Sequence, residues 1–134
     1  MKPNTLIATS LLLMSIYKPL QAQTAAASGY KIADKIKLEG DGGWDYLTVD
    51  ESTSRLFVSH GTQVQIVDLK ARKQIGAIQD LKGVHGIAIA NDLGKGYISC
   101  GKDSSVVIFD LKSYKVMGTV KVTGKNPDAI LYDQ

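Results

Sequence analysis

Two stretches of the chain follow one pattern: residues 45–70 read DYLTVDESTSRLFVSHGTQVQIVDLK, and residues 85–112 read HGIAIANDLGKGYISCGKDSSVVIFDLK. Each contains three short segments rich in Val, Ile, Tyr and Phe, which follow in the same order and lie 40 to 42 residues apart between the copies. Apolar residues alternate with other residues in these segments, as is typical of β-strands. The chain therefore repeats a unit of at least three strands.

A fourth segment completes each repeat and also precedes the first one. It reads RKQIGAI at 72–78, YKVMGTV at 114–120 and YKIADKI at 30–36. The first segment of the repeat begins a third time at 128–133, 43 residues after its second copy. Four short strands in a repeat of about 40 residues are the signature of a β-propeller blade. An immunoglobulin-like sandwich also has many short strands, but it does not require the same four segments in one order.

We therefore predict an all-β fold of four-stranded antiparallel blades. Residues 30–134 form a partial β-propeller, with blade 1 at 44–79, blade 2 at 85–122 and the start of a third blade at 128–134. The segment 30–38 precedes blade 1, so we expect it to be the outer strand of the last blade and to close the ring. Closed propellers have about 4 to 8 blades, so the sequence is expected to be the N-terminal part of a longer protein.

The segments of blade 2 and its continuation are also similar to a known family. They read YISCG at 97–101, VVIFD at 106–110, VMGTV at 116–120 and NPDA at 126–129. These segments resemble the YVTN-type (YncE-like) β-propeller repeat proteins, and the resemblance covers roughly residues 30–134. It implies a seven-bladed ring. Val67 and Phe109 stand where the WD40 repeat has tryptophan, so the resemblance to WD40 proteins is weaker.

Members of the resembled family are mostly exported and differ in their roles. Some members are proposed to bind DNA, some occur in surface layers, and others are relatives of haem- or quinone-linked oxidoreductase propellers. The resemblance therefore implies a fold rather than one activity, and whether the protein is an enzyme stays open.

The first residues have the pattern of a signal peptide. Lys2 precedes an apolar run from Leu6 to Tyr17, and small residues follow at Leu20-Gln21-Ala22. A membrane-spanning helix needs roughly 20 apolar residues, and this run is shorter. We predict a signal peptide at 1–22 and a short linker at 23–29, which would make the mature protein periplasmic or secreted.

Composition narrows the classes of function. The 134 residues are 44% hydrophobic and 22% charged, which is ordinary for a globular protein. Without the predicted signal peptide, 14 basic and 13 acidic residues remain, so net charge does not favour nucleic-acid binding. Cys100 is the only cysteine, which excludes an internal disulfide and a CxxC site and leaves a small buried hydrophobe as its expected role.

Candidate site residues come from one position of the repeat. Asp45, His85 and Asp128 each stand immediately before the innermost strand of a blade, and these positions open on the central channel. Carboxylates and neutral imidazoles are common metal ligands, so the three residues are candidates for a divalent metal site. Asp and His at such positions also cap turns through backbone hydrogen bonds, and the sequence leaves both interpretations open.

Two further residues are candidates for ligand binding on the channel face. Trp44 precedes Asp45 and can present its indole to a ligand or pack between blades. His60 ends the second strand of blade 1 and is expected on the same face, further from the axis. Asp68 and Asp110 recur at the end of the third strand, where aspartate is expected to stabilise a tight turn.

Three hypotheses for function follow from these residues. The preferred hypothesis is an exported propeller that binds a small molecule or a protein partner on its channel face. The first alternative is an enzyme, either a metal-dependent lactonase-like hydrolase or a redox propeller with a bound cofactor. The second alternative is single-stranded DNA binding through surface lysines, which would depend steeply on salt. Any partner set also includes the remaining blades of the same protein.

Overall fold

A computed structural model describes residues 29–133 of the chain. The predicted signal peptide at 1–22 and the linker up to residue 28 lie outside the described residues, as does Gln134. No helix among residues 29–133 is long and apolar enough to cross a membrane.

Within residues 29–133, eight antiparallel strands form two four-stranded sheets. In the first sheet the strands are β1 (Trp44–Asp50), β2 (Arg55–His60), β3 (Gln63–Asp68) and β4 (Lys73–Ile78), paired in chain order. In the second sheet they are β5 (Val84–Ala90), β6 (Lys95–Cys100), β7 (Ser105–Asp110) and β8 (Val116–Lys121), again in chain order. The two sheets correspond to the two predicted blades, and the predicted all-β fold class is confirmed. The names blade 1 and blade 2 are kept for them.

The turns follow from the residues at the strand ends. Asp68 accepts hydrogen bonds from the backbone N–H groups of Lys70 and Ala71, both at 2.8 Å. Asp110 accepts a 2.7 Å bond from Ser113 N–H at the same point of blade 2. These carboxylates stabilise the turn between the third and fourth strands, as the repeat predicted.

One apolar core lies between the two blades. Phe57 of blade 1 and Phe109 of blade 2 meet with ring centroids 5.7 Å apart, and both are almost fully buried. Alternate residues of β3, β6 and β7 contribute to this core. Its other members are Val64, Ile66, Ile78, Leu81, Val84, Ile87, Ile98, Cys100 and Val107. The blades are therefore held together mainly by burial of apolar side chains.

The segments on either side of the two sheets are not assigned to a strand. Residues 29–33 are exposed. In residues 34–39, Ile36 and Leu38 are half-buried, and the Glu39 carbonyl accepts a 2.7 Å bond from the Gln65 side chain. Residues 128–133 carry no strand assignment either. The ring-closing role of 30–38 and the third blade at 128–134 stay predictions.

Candidate functional site

A β-bulge begins the innermost strand of each blade. Trp44 of β1 pairs with His60 of β2, and Leu47 pairs with Val58. Two residues of β1, Asp45 and Tyr46, therefore lie opposite one residue of β2, Ser59. Blade 2 repeats this shift, with pairs Val84–Cys100 and Ile87–Ile98. A bulge re-aims the side chain of its extra residue. The shifted residues are Asp45 and Tyr46 in one blade and His85 and Gly86 in the other.

A buried serine satisfies the backbone of each bulge. Ser59 Oγ accepts a 2.6 Å hydrogen bond from Tyr46 N–H and lies 3.2 Å from the Tyr46 carbonyl oxygen. Ser99 Oγ accepts a 2.9 Å bond from Gly86 N–H and lies 3.3 Å from the Gly86 carbonyl oxygen. Both serines are at most 1% exposed. The bulge groups that lack a strand partner are therefore paired with a side chain instead of water.

The bulges bring the predicted metal ligands together. His85 Nδ1 lies 2.7 Å from Asp45 Oδ2 and 3.9 Å from Asp128 Oδ1. One ligand atom from each of the three residues lies within 4.8 Å of the others. The side chains of Asp45, His85 and Asp128 are 41%, 27% and 62% exposed, so a ligand can reach them from solvent. We call these three residues the Asp-His-Asp cluster.

The segment that carries Asp128 is fixed to blade 2. The Asp128 carbonyl oxygen accepts a 3.1 Å hydrogen bond from Gly86 N–H and a second hydrogen bond from the Ser99 hydroxyl. Gly101 also makes room for this segment, because a Cβ atom there would collide with Asn126 Oδ1 and lie 2.8 Å from His85 Nε2. The imidazole and the 126–128 segment thus meet over a position without a side chain.

Trp44 and His60 form a separate pair at the same end of blade 1. Their rings stack 4.3 Å apart at an interplanar angle of 7°, and the indole N–H donates to Gln65 Oε1 at 3.4 Å. His60 is buried, and its Nδ1 lies 3.3 Å from Gln63 Nε2. A Cβ at Gly40 would overlap the His60 ring, so the glycine-rich segment closes over it. Only Trp44 of this pair keeps substantial exposure, 44%.

Cys100 lies at the end of β6 and is buried, as the sequence predicted. Burial raises the pKa of its thiol above the ordinary value, which keeps the sulfur protonated and unreactive at neutral pH. Cys100 therefore acts as a small core side chain.

The donor set of the Asp-His-Asp cluster suits a divalent transition metal. Ligand atoms around a tetrahedral zinc ion lie about 2.0–2.2 Å from the metal, which places them about 3.3–3.6 Å from one another. The two separations at His85 Nδ1, 2.7 and 3.9 Å, bracket that value. A bound ion would replace the hydrogen bond between His85 and Asp45.

Four residues of the site were not among the predicted ones. Ser59 and Ser99 stand 40 residues apart, at the same position of the repeat, which is a sequence signal for a shared role. Gly101 also has an equivalent, Gly61, 40 residues earlier. Asn126 carries no such signal, because its role depends on the approach of two segments that are distant along the chain.

Comparison with known proteins identifies the fold. No protein-family model and no curated protein matches the sequence. Among solved structures, Kuenenia stuttgartiensis hydrazine synthase matches with a TM-score of 0.62 at 24% identity, over 77% of this chain and 29% of that one. The β-propeller domain of Cps50 (Swd1) from Myceliophteria thermophila matches with a TM-score of 0.56 at 15% identity, over 65% and 28%. Citrobacter koseri AztD matches with a TM-score of 0.53 at 16% identity, over 61% and 25%.

This chain has a β-propeller fold. These three matches are below 25% identity, so they establish the fold and leave the activity open. The chain spans between a quarter and three tenths of the length of these solved structures. Its two sheets therefore correspond to blades of a propeller.

Proposed function

We propose that the chain belongs to an exported β-propeller binding protein that holds a divalent metal cation at the Asp-His-Asp cluster. The observation that carries the proposal is the meeting of Asp45, His85 and Asp128 within 4.8 Å, each from the same position of a successive repeat. Three segments far apart in sequence converge there, which a turn cap does not require. Two carboxylates and one imidazole also supply the negative charge and the borderline nitrogen donor that Zn²⁺ or a similar ion prefers.

Titration of the purified protein with Zn²⁺, followed by isothermal calorimetry in a non-chelating buffer, tests this proposal. We expect one ion per chain, and a loss of at least tenfold in affinity in each of Asp45→Ala, His85→Ala and Asp128→Ala, since each removes a ligand. Asp41→Ala is the matched control, because Asp41 is an exposed acid four residues from Asp45 and outside the cluster. Absence of stoichiometric binding, or equal losses in the control, would refute the proposed function.

A second candidate is a metal-dependent hydrolase built on the same cluster. It is favoured by the number of ligands, because three protein ligands leave a position on a tetrahedral zinc ion for water, and metal-bound water is a nucleophile near neutral pH. The zinc-loaded protein would then hydrolyse a lactone or an aryl ester, and His85→Ala would abolish the activity. Zinc binding without hydrolysis of a lactone or an aryl ester would refute the hydrolase and support metal binding only.

Export and family membership belong to the same proposal. The apolar run of residues 6–17 with the small-residue exit at Ala22 supports export, and the order of the four repeat segments supports membership of the YVTN-type propellers. Mass spectrometry of the protein recovered from the periplasm or the medium would give its N-terminal residue. A mature chain that starts near Gln23 is the expected result, and an intact Met1 in the cytosol is the contrary one.

A further inference from the structure

The two buried serines, Ser59 and Ser99, lie where they can fix the orientation of residues of the Asp-His-Asp cluster. Ser59 and Ser99 are the penultimate residues of β2 and β6, the second strands of their blades. The hydroxyl of each serine bonds the backbone of the residue that follows a cluster residue. Asp45 precedes Tyr46, and His85 precedes Gly86. The direction of the Asp45 and His85 side chains therefore depends on a bulge that a serine hydroxyl completes.

Ser99 has a second role that Ser59 does not show. Its hydroxyl donates to the Asp128 carbonyl, and the same carbonyl accepts the Gly86 N–H at 3.1 Å. One buried oxygen thus connects the backbone beside His85 to the backbone of Asp128. Asp128 follows the second sheet along the chain, and among residues 29–133 no strand pairing joins it to His85.

We propose that Ser59 and Ser99 are positioning residues of the metal site, with Ser99 setting two of its ligands and Ser59 one. This inference rests on the proposed function for its binding readout. Neither hydroxyl contacts the ligand atoms, so each acts through the backbone that carries a ligand. Hydrogen-bonding partners behind metal ligands commonly change metal affinity by roughly 10- to 100-fold.

The variants Ser99→Ala, Ser59→Ala and Ser99→Thr test the proposal, with Ser105→Ala as the matched control. Ser105 is equally buried and lies in the same sheet as Ser99, but its hydroxyl bonds the Asp103 carboxylate rather than a bulge. We expect Zn²⁺ affinity to fall roughly 10- to 100-fold in Ser99→Ala and less in Ser59→Ala. Threonine retains a hydroxyl, so Ser99→Thr should bind more tightly than Ser99→Ala, and Ser105→Ala should bind as wild type.

A second measurement separates this inference from the proposed function. NMR of the metal-free protein reports the ring resonances of His85, which should shift in Ser99→Ala and stay unchanged in Ser105→Ala. If the wild type binds no Zn²⁺ but this difference appears, the proposed function is wrong, while the role of Ser99 in positioning the His85 side chain stands. If His85 is unchanged in Ser99→Ala, or Zn²⁺ affinity falls equally in Ser105→Ala, the positioning role is wrong. Should Ser99→Ala not fold, the same comparison of Ser59→Ala with Ser105→Ala decides, with Asp45 resonances as the readout.

Discussion

Gly101 is the residue on which the packing around His85 depends. Its backbone does not require glycine by its φ angle, but a Cβ there would overlap Asn126 Oδ1 and press on the His85 ring. The 126–128 segment and the imidazole can therefore approach each other only because this position has no side chain. A residue that touches no ligand thus limits the geometry of the cluster.

Gly101→Ala should reduce Zn²⁺ affinity while the two blades remain folded. The added methyl group forces His85 or the segment with Asn126 to move, and positioning errors of this kind in a binding site are costly. Calorimetric titration measures the affinity, and circular dichroism checks the fold. Gly118→Ala is the control, because a Cβ at Gly118 in β8 meets nothing within 4 Å. Wild-type affinity in Gly101→Ala would contradict the assigned role.

Asp50 connects the two blades at the opposite end of β1. The buried carboxylate accepts bonds from Ser52 Oγ at 2.7 Å, from Asn91 Nδ2 at 3.1 Å and from Thr53 Oγ1. Burial alone raises the pKa of Asp50, but the bonds from Thr53, Ser52 and Asn91 together hold that pKa below its ordinary value of 3.8. The charged form is therefore the one that stabilises the fold.

Because the folded-state pKa of Asp50 is lowered, its contribution to stability is complete above the unfolded-state value, about 4. That contribution is lost as the pH falls through the folded-state pKa. Asp50→Asn should lower the free energy of unfolding at pH 7 by about 1–3 kcal/mol, and by less at pH 3. Urea unfolding at the two pH values measures this. Glu51→Gln is the control, since Glu51 is the exposed neighbour. An equal loss of unfolding free energy in Asp50→Asn at both pH values would argue against an effect of the Asp50 charge.

At the scale of the strands, the two blades differ in residue size at one pair between their second and third strands. Leu56 pairs with Val67 in blade 1, and Gly96 pairs with Phe109 at the equivalent place in blade 2. A Cβ at Gly96 would overlap the Phe109 ring. The glycine therefore leaves the space that the larger partner on β7 fills, so the two positions must change together.

Gly96→Leu should destabilise the protein strongly by overpacking, and Phe109→Val should destabilise it by leaving a cavity against Phe57. The double variant transfers the Leu–Val pair of blade 1, so its cost should be smaller than the sum of the two. We expect a coupling free energy of about 1–3 kcal/mol from chemical denaturation of all four proteins. Gly96→Leu with Ile75→Ala serves as the control pair, because no strand pairing joins these two residues and their losses should be closer to additive.

The strands of the two sheets and the cluster residues could be predicted, while the bulges could not. Alternating segments repeated at fixed spacing give the strands, and the shared position of Asp45, His85 and Asp128 in the repeat gives their proximity. A bulge depends on which backbone groups remain unpaired, which the hydrophobic pattern does not report. The stacking of Trp44 on His60 depends on that same shifted register, so it too appeared only in the structure.

At the scale of the whole molecule, the two blades differ in what covers them. Leu47 of β1 is 66% exposed, while Ile87, its equivalent in β5, is 5% exposed because blade 1 packs against it. Val49 and Ile75 are exposed on blade 1 as well. The repeat therefore predicts that another blade of the protein covers this face, as blade 1 covers blade 2.

The 134-residue chain by itself should associate through this uncovered face. Exposed apolar side chains that form one surface promote self-association, and β-sheet edges add to it. Light scattering coupled to size exclusion should show a mass that rises with concentration, and Leu47→Lys with Val49→Lys should shift the chain toward the monomer. Lysine at Leu93, an exposed leucine on the 3₁₀ turn after β5, is the control for added charge. A monodisperse monomer that melts cooperatively at all concentrations would show that the face is stable in water, and the repeat equivalence of Leu47 and Ile87 would then not extend to blade packing.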